Sequence, residues 1–443
     1  MTRQRLSGWG RTSPSIADVV TPRDEEEVAT LLASSPSVIA RGLGRSYGDP
    51  AQLAGGLVLD NRGFTGIGPI DVAGVVQVGA GVSIDELLAV MVPLGWFMPV
   101  TPGTRQVTIG GAVAADVHGK NHHVDGSIAA HVLAMRLVTP TGIVTVTPDD
   151  DAALFWATMG AMGLTGFVSS VTLRMLRIET DQVLVDTTRY ADLDSVMAAM
   201  SSGDADYRYS VAWVDCMTKG AHMGRAILTR GDHARAEDLD ERSLAGPRAS
   251  RLAVPNVVPS GLLNTASIKV FNELWYRSAR DGMGKAHSLS SFFHPLDGVN
   301  DWNRLYGKRG FVQYQFCVPD ESAQTVVDAI ATLSSSGVAS FLGVLKRFGD
   351  ADAGPLSFPT RGWTLALDLP VGSSMLPEVL DRLDDMVLEG DGRIYLAKDA
   401  RLDPTTFASM YPRLDEFLAV KDRVDPDHRL TSDLARRLRL TGQ

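Results

Sequence analysis

The chain has 443 residues, 44% of them hydrophobic and 21% charged, which suits a soluble globular enzyme of two or at most three domains. A net charge of −10 argues against a bulk nucleic-acid binder, and two cysteines, Cys216 and Cys317, cannot build a disulfide framework. The first residues lack the apolar core of a signal peptide, and no run of roughly 18 apolar residues is present to span a membrane. Membrane contact is therefore expected to be peripheral, and the location cytoplasmic or at the cell envelope.

In chain order, Thr21 and Pro22 ahead of three glutamates read as a helix start, because acids favour the positive N-terminal end. Short apolar runs from Ser37, Gly55 and Val75 read as strands, and Ser83 with Glu86 has the spacing of a capping box. Strands are expected at 132–138 and 142–147, a short helix at 154–159, and a long strand after Gly163. From about Glu179 the texture changes. Strands at 183–188, 208–214, 310–318 and 363–369 alternate with amphipathic helices at 193–200, 321–334 and 376–388. This is an α+β pattern, a mainly antiparallel sheet covered by helices. Residues 237–267 read as a long loop or mobile lid.

Five groups of residues carry chemistry. Gly42, Gly44 and Gly48 follow a strand and suit a nest of backbone N–H groups for a pyrophosphate, although an ordinary turn fits that spacing as well. A second glycine-rich stretch holds Pro102, Gly103, Thr104, Thr108, Gly110, Gly111 and Ala114, and its small residues let the backbone approach a flat ring system. His118, His122 and His123 form a third group. A metal reading is weak, because no carboxylate or Cys ligand stands beside them and glycines interrupt the i, i+4 spacing. Lys398, in the run from Tyr395 to Arg401, is either a base in an apolar cleft or a solvated lysine beside Asp399. Gln313 and Gln315 share one face of an apolar strand and need partners, internal or from a polyhydroxyl ligand.

Arg41 to Asp49, Pro102 to Thr104, Gly110, Gly111, His118 to His123, and Gly163 to Gly166 together resemble the vanillyl-alcohol-oxidase-type (PCMH-type) FAD oxidoreductases. The similarity extends along the chain through Glu273–Arg277, Gln313–Phe316, Tyr395–Asp399 and Ser432–Arg437. It lies with the branch that oxidises the C2' hydroxyl of decaprenylphosphoryl-β-D-ribofuranose, the first half of epimerisation to the arabinose donor of cell-wall arabinan. The resemblance implies an FAD-binding domain over 1–178, a substrate domain over 179–392, and a C-terminal segment, 393–443, returning to the first. It places FAD against Arg41, Gly42, Leu43, Gly44, Arg45, Ser46, Tyr47, Gly48, Pro102, Gly103, Thr104, Thr108, Gly110, Gly111, Ala114, His118, Gly119, Asn121, Gly166 and Tyr395. It implies catalysis by Lys398, His118 and Tyr47, with substrate held by Trp213, Gln313, Gln315, Lys346, Phe348, Thr364 and Lys398. No metal is implied.

Many relatives link FAD covalently through a histidine at the place held here by Arg45, so non-covalent FAD is expected. Ala366 stands where the branch often has a cysteine that nitro-aromatic inhibitors attack, and Thr364 where an asparagine is common. The implied partners are a polyprenyl-phosphate sugar and an NADH-dependent keto-reductase. Two other readings compete: a soluble aldonolactone or alditol oxidase using O2, and a non-catalytic glycan- or lipid-binding module.

Overall fold

A computed structural model describes residues 1–440 apart from 242, 249, 251, 260 and 339. Among the described residues, two four-stranded sheets, one eight-stranded sheet and a two-stranded pairing of Trp96–Phe97 with Leu176–Arg177 organise the chain. In the first, Thr2–Leu6, Ser15–Val20, Leu57–Asp60 and Val38–Arg41 lie side by side in that order. The second orders Val75–Gly79, Phe167–Arg174, Val132–Thr139 and Gly142–Val146. The eight-stranded sheet runs Gly282–Ser288, Gln182–Tyr190, Ala226–His233, Tyr209–Val214, Gly343–Phe348, Gly362–Pro370, Phe311–Pro319 and Arg393–Ile394. Every pairing in it is antiparallel. The expected α+β class, with helices on a mainly antiparallel sheet, is the observed one.

Period-two alternation decides what each face of the large sheet meets. On one side Tyr314, Phe316, Leu365 and Leu367 are buried, together with Ile330, Leu333, Leu380 and Leu383 of the helices Gln324–Ser336 and Leu376–Glu389. The Tyr314 hydroxyl donates to Asp384 of the second helix at 2.9 Å. The other side of the same strands carries Gln313, Gln315, Thr364 and Asp368, which are buried polar groups turned away from the helices.

Two local expectations are corrected. The first helix spans Glu25–Ser34, and Asp24, not Thr21, caps it by accepting the Glu27 N–H at 2.8 Å. The stretch 237–267 is not loop throughout. Asn264 caps a 14-residue helix, Thr265–Ser278, with Ser267 completing a capping box. Four positions of that stretch, 242, 249, 251 and 260, lie outside the described residues. The capping box at Ser83 and Glu86 forms as expected.

The C-terminal residues pack back onto the first sheet. Leu430 bridges Val38, and Arg437 pairs with both Asp49 and Asp399 at 2.8 Å. Among the described residues no helix is long and apolar enough to cross a membrane.

Candidate active site

The two glycine-rich loops meet each other. A Cβ on Gly42 would lie 2.2 Å from Thr108 Oγ1, so only glycine lets the loops touch. Gly48 does the same for the C-terminal loop, since a Cβ there would sit 1.8 Å from the Asp399 carbonyl oxygen. Tyr47 N–H also donates to Ala397 O at 2.8 Å. Residues 350 or more positions apart in sequence, Tyr47 and Lys398 among them, are thereby brought side by side.

The residues expected to face the cofactor fall into two groups. Several side chains are already committed to the protein. The Arg41 guanidinium donates to Ala51 O and Ser7 O, each at 2.8 Å. Thr104 donates to Asp297 at 2.7 Å, Asn121 to Pro99 O at 2.8 Å, and the Tyr395 hydroxyl to Ala115 O at 2.6 Å. Ala114 O accepts the Met162 N–H, Gly166 packs against Val138, and Arg45 lies over the Trp9 ring. What remains open is backbone. The N–H groups of Leu43, Gly44, Arg45 and Ser46 have no acceptor within the described chain. Gly103 has open space where a Cβ would be, and the buried Asn61 Oδ1, behind Gly110, has no partner. A run of free N–H groups beside small residues is the donor set that a dinucleotide's phosphates and a flat ring require, and FAD fits it.

Strand register assembles the other wall. Gln313 pairs with Asp368 and Gln315 with Ala366; Lys346 pairs with Thr364, and Trp213 with Val344, which itself pairs with Ala366. Directly paired residues share a face, so these side chains line one side of the sheet. Gln313 Nε2 donates to Asp368 Oδ1 at 2.5 Å, and Gln315 Nε2 lies 2.9 Å from His118 Nε2 and 3.2 Å from Thr364 Oγ1. The partners of the two glutamines are thus internal.

His118 is enclosed by the Phe348, Phe358 and Tyr395 rings, and burial depresses its pKa well below the usual histidine range. A neutral ring that accepts from Gln315 at Nε2 carries its hydrogen on Nδ1, and that buried Nδ1 has no partner. His122 Nδ1 accepts the Gly349 N–H, while His123 bonds to the Asp204 and Tyr207 carbonyls. The three imidazoles therefore serve different partners.

Lys398 lies with its Nζ 4.0 Å from the centroid of the Tyr47 ring, and Arg437, not Lys398, pairs with Asp399. Burial brings the Lys398 pKa down to about 7, with Asp368 opposing the shift and Lys346 adding to it. Burial alone takes Lys346 to about 8, and its ammonium donates to Gly119 O at 3.4 Å. Asp368, pushed up to about 6 by burial, also accepts from the Tyr306 hydroxyl at 3.2 Å. The Tyr47 phenol is raised well above its ordinary pKa by burial and stays neutral.

Asp368 and Tyr306 were not singled out from sequence. The signal for Asp368 was present: an acid between leucines, two residues from Ala366 and four from Thr364, on the face the glutamines share. Lys120, between His118 and His122 in sequence, also belongs to this region. It sits 4.1 Å from the centroid of the Phe292 ring, with its pKa lowered to about 7 by burial.

The first part of the chain, residues 16–147, matches the FAD binding domain model, and residues 308–438 match that of D-arabinono-1,4-lactone oxidase. Decaprenylphosphoryl-beta-D-ribose oxidase of Mycolicibacterium smegmatis is 43% identical, covering 99% of this chain and 98% of that protein. The chain belongs to this oxidase family. It is an FAD-dependent oxidoreductase. An uncharacterised protein of Streptomyces coelicolor is 39% identical over 81% of this chain and 100% of its own length. L-gulono-1,4-lactone dehydrogenase of Mycobacterium tuberculosis shares 23% identity over 98% of both chains.

Proposed function

We propose that this enzyme oxidises the C2' hydroxyl of decaprenylphosphoryl-β-D-ribofuranose to the 2'-ketone. The observation that carries the reading is the contact of Lys398 with Tyr47, together with the bonding of Gln313 to Asp368 and of Gln315 to His118 on one face of the large sheet. When bound, FAD would supply the two-electron acceptor for the C2' alcohol. Lys398 takes the hydroxyl proton, since a lysine titrating near neutrality is free to accept one. His118 directs its free Nδ1–H towards charge that develops on the reacting groups. Gln313 and Gln315, already oriented by Asp368 and Thr364, meet the sugar hydroxyls. Lys346 supplies a cation for the phosphate, and Trp213 and Phe348 the apolar walls.

Residues 1–178 serve as the FAD unit, 179–392 as the substrate unit, and 393–443 return to the first, carrying Lys398 with them. FAD is held without a covalent bond, because Arg45 stands at the linking position. An NADH-dependent reductase takes the ketone onward to the arabinose epimer. The test is anaerobic mixing of FAD-loaded protein with polyprenylphosphoryl ribose, following loss of visible flavin absorption. Bleaching with a 2'-keto product by mass spectrometry is expected. No bleaching, with turnover of aldonolactones in its place, would move the enzyme to the soluble lactone oxidases whose model matches residues 308–438.

A further inference from the structure

The helix Thr265–Ser278 rests on the protein through Ile268 and Asn272 and leaves its other side uncovered. On that side Val270, Phe271, Leu274 and Trp275 follow the spacing of a single helical stripe and are 61%, 41%, 64% and 49% exposed. Val257 and Leu262, in the chain leading into the helix, are exposed as well. Exposed apolar side chains ordinarily stand singly, and a stripe of this kind marks an interaction surface.

Charge identifies the occupant. Residues 242–285 contain seven basic and two acidic residues, a net of +5 in a chain whose total is −10. Of the two acids, Glu273 is already paired with Arg225 and Arg277. A helix with an apolar stripe, a tryptophan within it and an excess of basic residues in its own and its flanking sequence is suited to lie in the interface of an anionic bilayer. Its position agrees. Phe271 meets Phe341 at 5.2 Å, Phe341 lies 6.4 Å from Tyr306, and Tyr306 stacks on Phe311 at 4.0 Å. Phe311 in turn meets Tyr47 at 5.4 Å, below Lys398. An unbroken trail of aromatic rings therefore joins the uncovered helix to the candidate active site.

We propose that the helix Thr265–Ser278 docks the enzyme on an anionic lipid surface and turns the cavity towards an isoprenoid lipid held there. The orientation towards that lipid rests on the polyprenyl-phosphate reading of the substrate; the docking itself does not.

The experiment is co-sedimentation of FAD-loaded full-length protein with substrate-free vesicles, either phosphatidylcholine alone or phosphatidylcholine with phosphatidylglycerol. Binding to the anionic vesicles is expected to exceed binding to neutral ones by roughly tenfold and to weaken with added salt. Leu274→Asp and Trp275→Asp are each expected to weaken it roughly tenfold, and Val72→Asp, at a fully exposed valine elsewhere, to leave it unchanged. Retained FAD reports that each variant is folded. Absence of vesicle binding, or equal binding by all variants, would overturn the proposal. So would self-association of the wild type without vesicles that Leu274→Asp abolishes, because the stripe would then belong to a second copy of the chain. A short-chain, water-soluble polyprenylphosphoryl ribose separates the two readings. Flavin bleaching by it should survive Leu274→Asp, whereas no bleaching alongside intact vesicle binding would remove the reaction reading alone.

Discussion

Lys398 Nζ and the Tyr47 ring face each other across 4.0 Å, and the two residues are 351 positions apart in the chain. The contact exists because Gly48 lets the Asp399 carbonyl approach and because Tyr47 N–H bonds to Ala397 O. It keeps the amine over a neutral, buried phenol, with Asp368 the nearest acid acting on it. Desolvation there favours the uncharged amine, which is the form able to take a proton.

The pH dependence follows from that direction. With the Lys398 pKa lowered to about 7, kcat/KM for flavin reduction should rise as pH increases through about 7 and level off above it. Lys398→Ala should retain FAD, lose roughly 10²- to 10⁴-fold in the reductive step, and flatten the profile. Stopped-flow reduction across pH checks both. A wild-type profile that is flat, or an alanine variant with normal turnover, would remove Lys398 as the base.

His118→Phe keeps an aromatic ring among Phe348, Phe358 and Tyr395 and deletes the free Nδ1–H. It also leaves the Gln315 amide without one of its two partners. A lost buried hydrogen-bonding group costs about 1–3 kcal/mol, so flavin reduction should slow roughly 10- to 100-fold with FAD content preserved. Single-turnover rates against bound-flavin absorbance measure this.

Ala366 pairs with Gln315 and Val344 and lies between Thr364 and Asp368 on the face of the candidate site, half-exposed where its strand neighbours are buried. A nitro-aromatic compound of the class that attacks a cysteine here should leave the wild type unmodified after turnover. Ala366→Cys should gain the mass of one adduct. Intact-protein mass spectrometry reads both, and an adduct on the wild type would contradict the expectation.

Lys421 and Asp425 form a fully buried ion pair at 2.8 Å, and Asp425 also accepts the Arg429 and Leu430 N–H groups. Asp425→Ala leaves a buried ammonium and two peptide donors without partners and should destabilise by about 3–5 kcal/mol. Lys421→Met, which leaves those peptide bonds in place, should cost less. Chemical denaturation of the two variants, compared at constant FAD, tests the ordering.

Much of this enzyme was legible in its residues because the relevant interactions are local. The Ser83–Glu86 capping box and the alternation of Gln313 and Gln315 each need only neighbouring atoms to specify their geometry. The helix Thr265–Ser278 escaped because it buries little more than Ile268 and Asn272, so its apolar residues do not form a core-facing pattern.

What only the tertiary structure decided is who faces whom. Asp368 meets Gln313 because the strands Phe311–Pro319 and Gly362–Pro370 pair in one register; a shift of one residue would turn Asp368 towards the helices. That register follows from packing of Leu365, Leu367 and Phe316 on the far side, spread over long stretches of chain. Likewise the pKa of Lys398 is a property of burial among Tyr47, Asp368 and Lys346, none of them its neighbour in sequence. The sequence by itself determined the fold class, the two glycine-rich loops and the candidate residue types. Desolvation and contact, which exist only once distant segments close on one cavity, decided which of those residues hold a proton and which hold the fold.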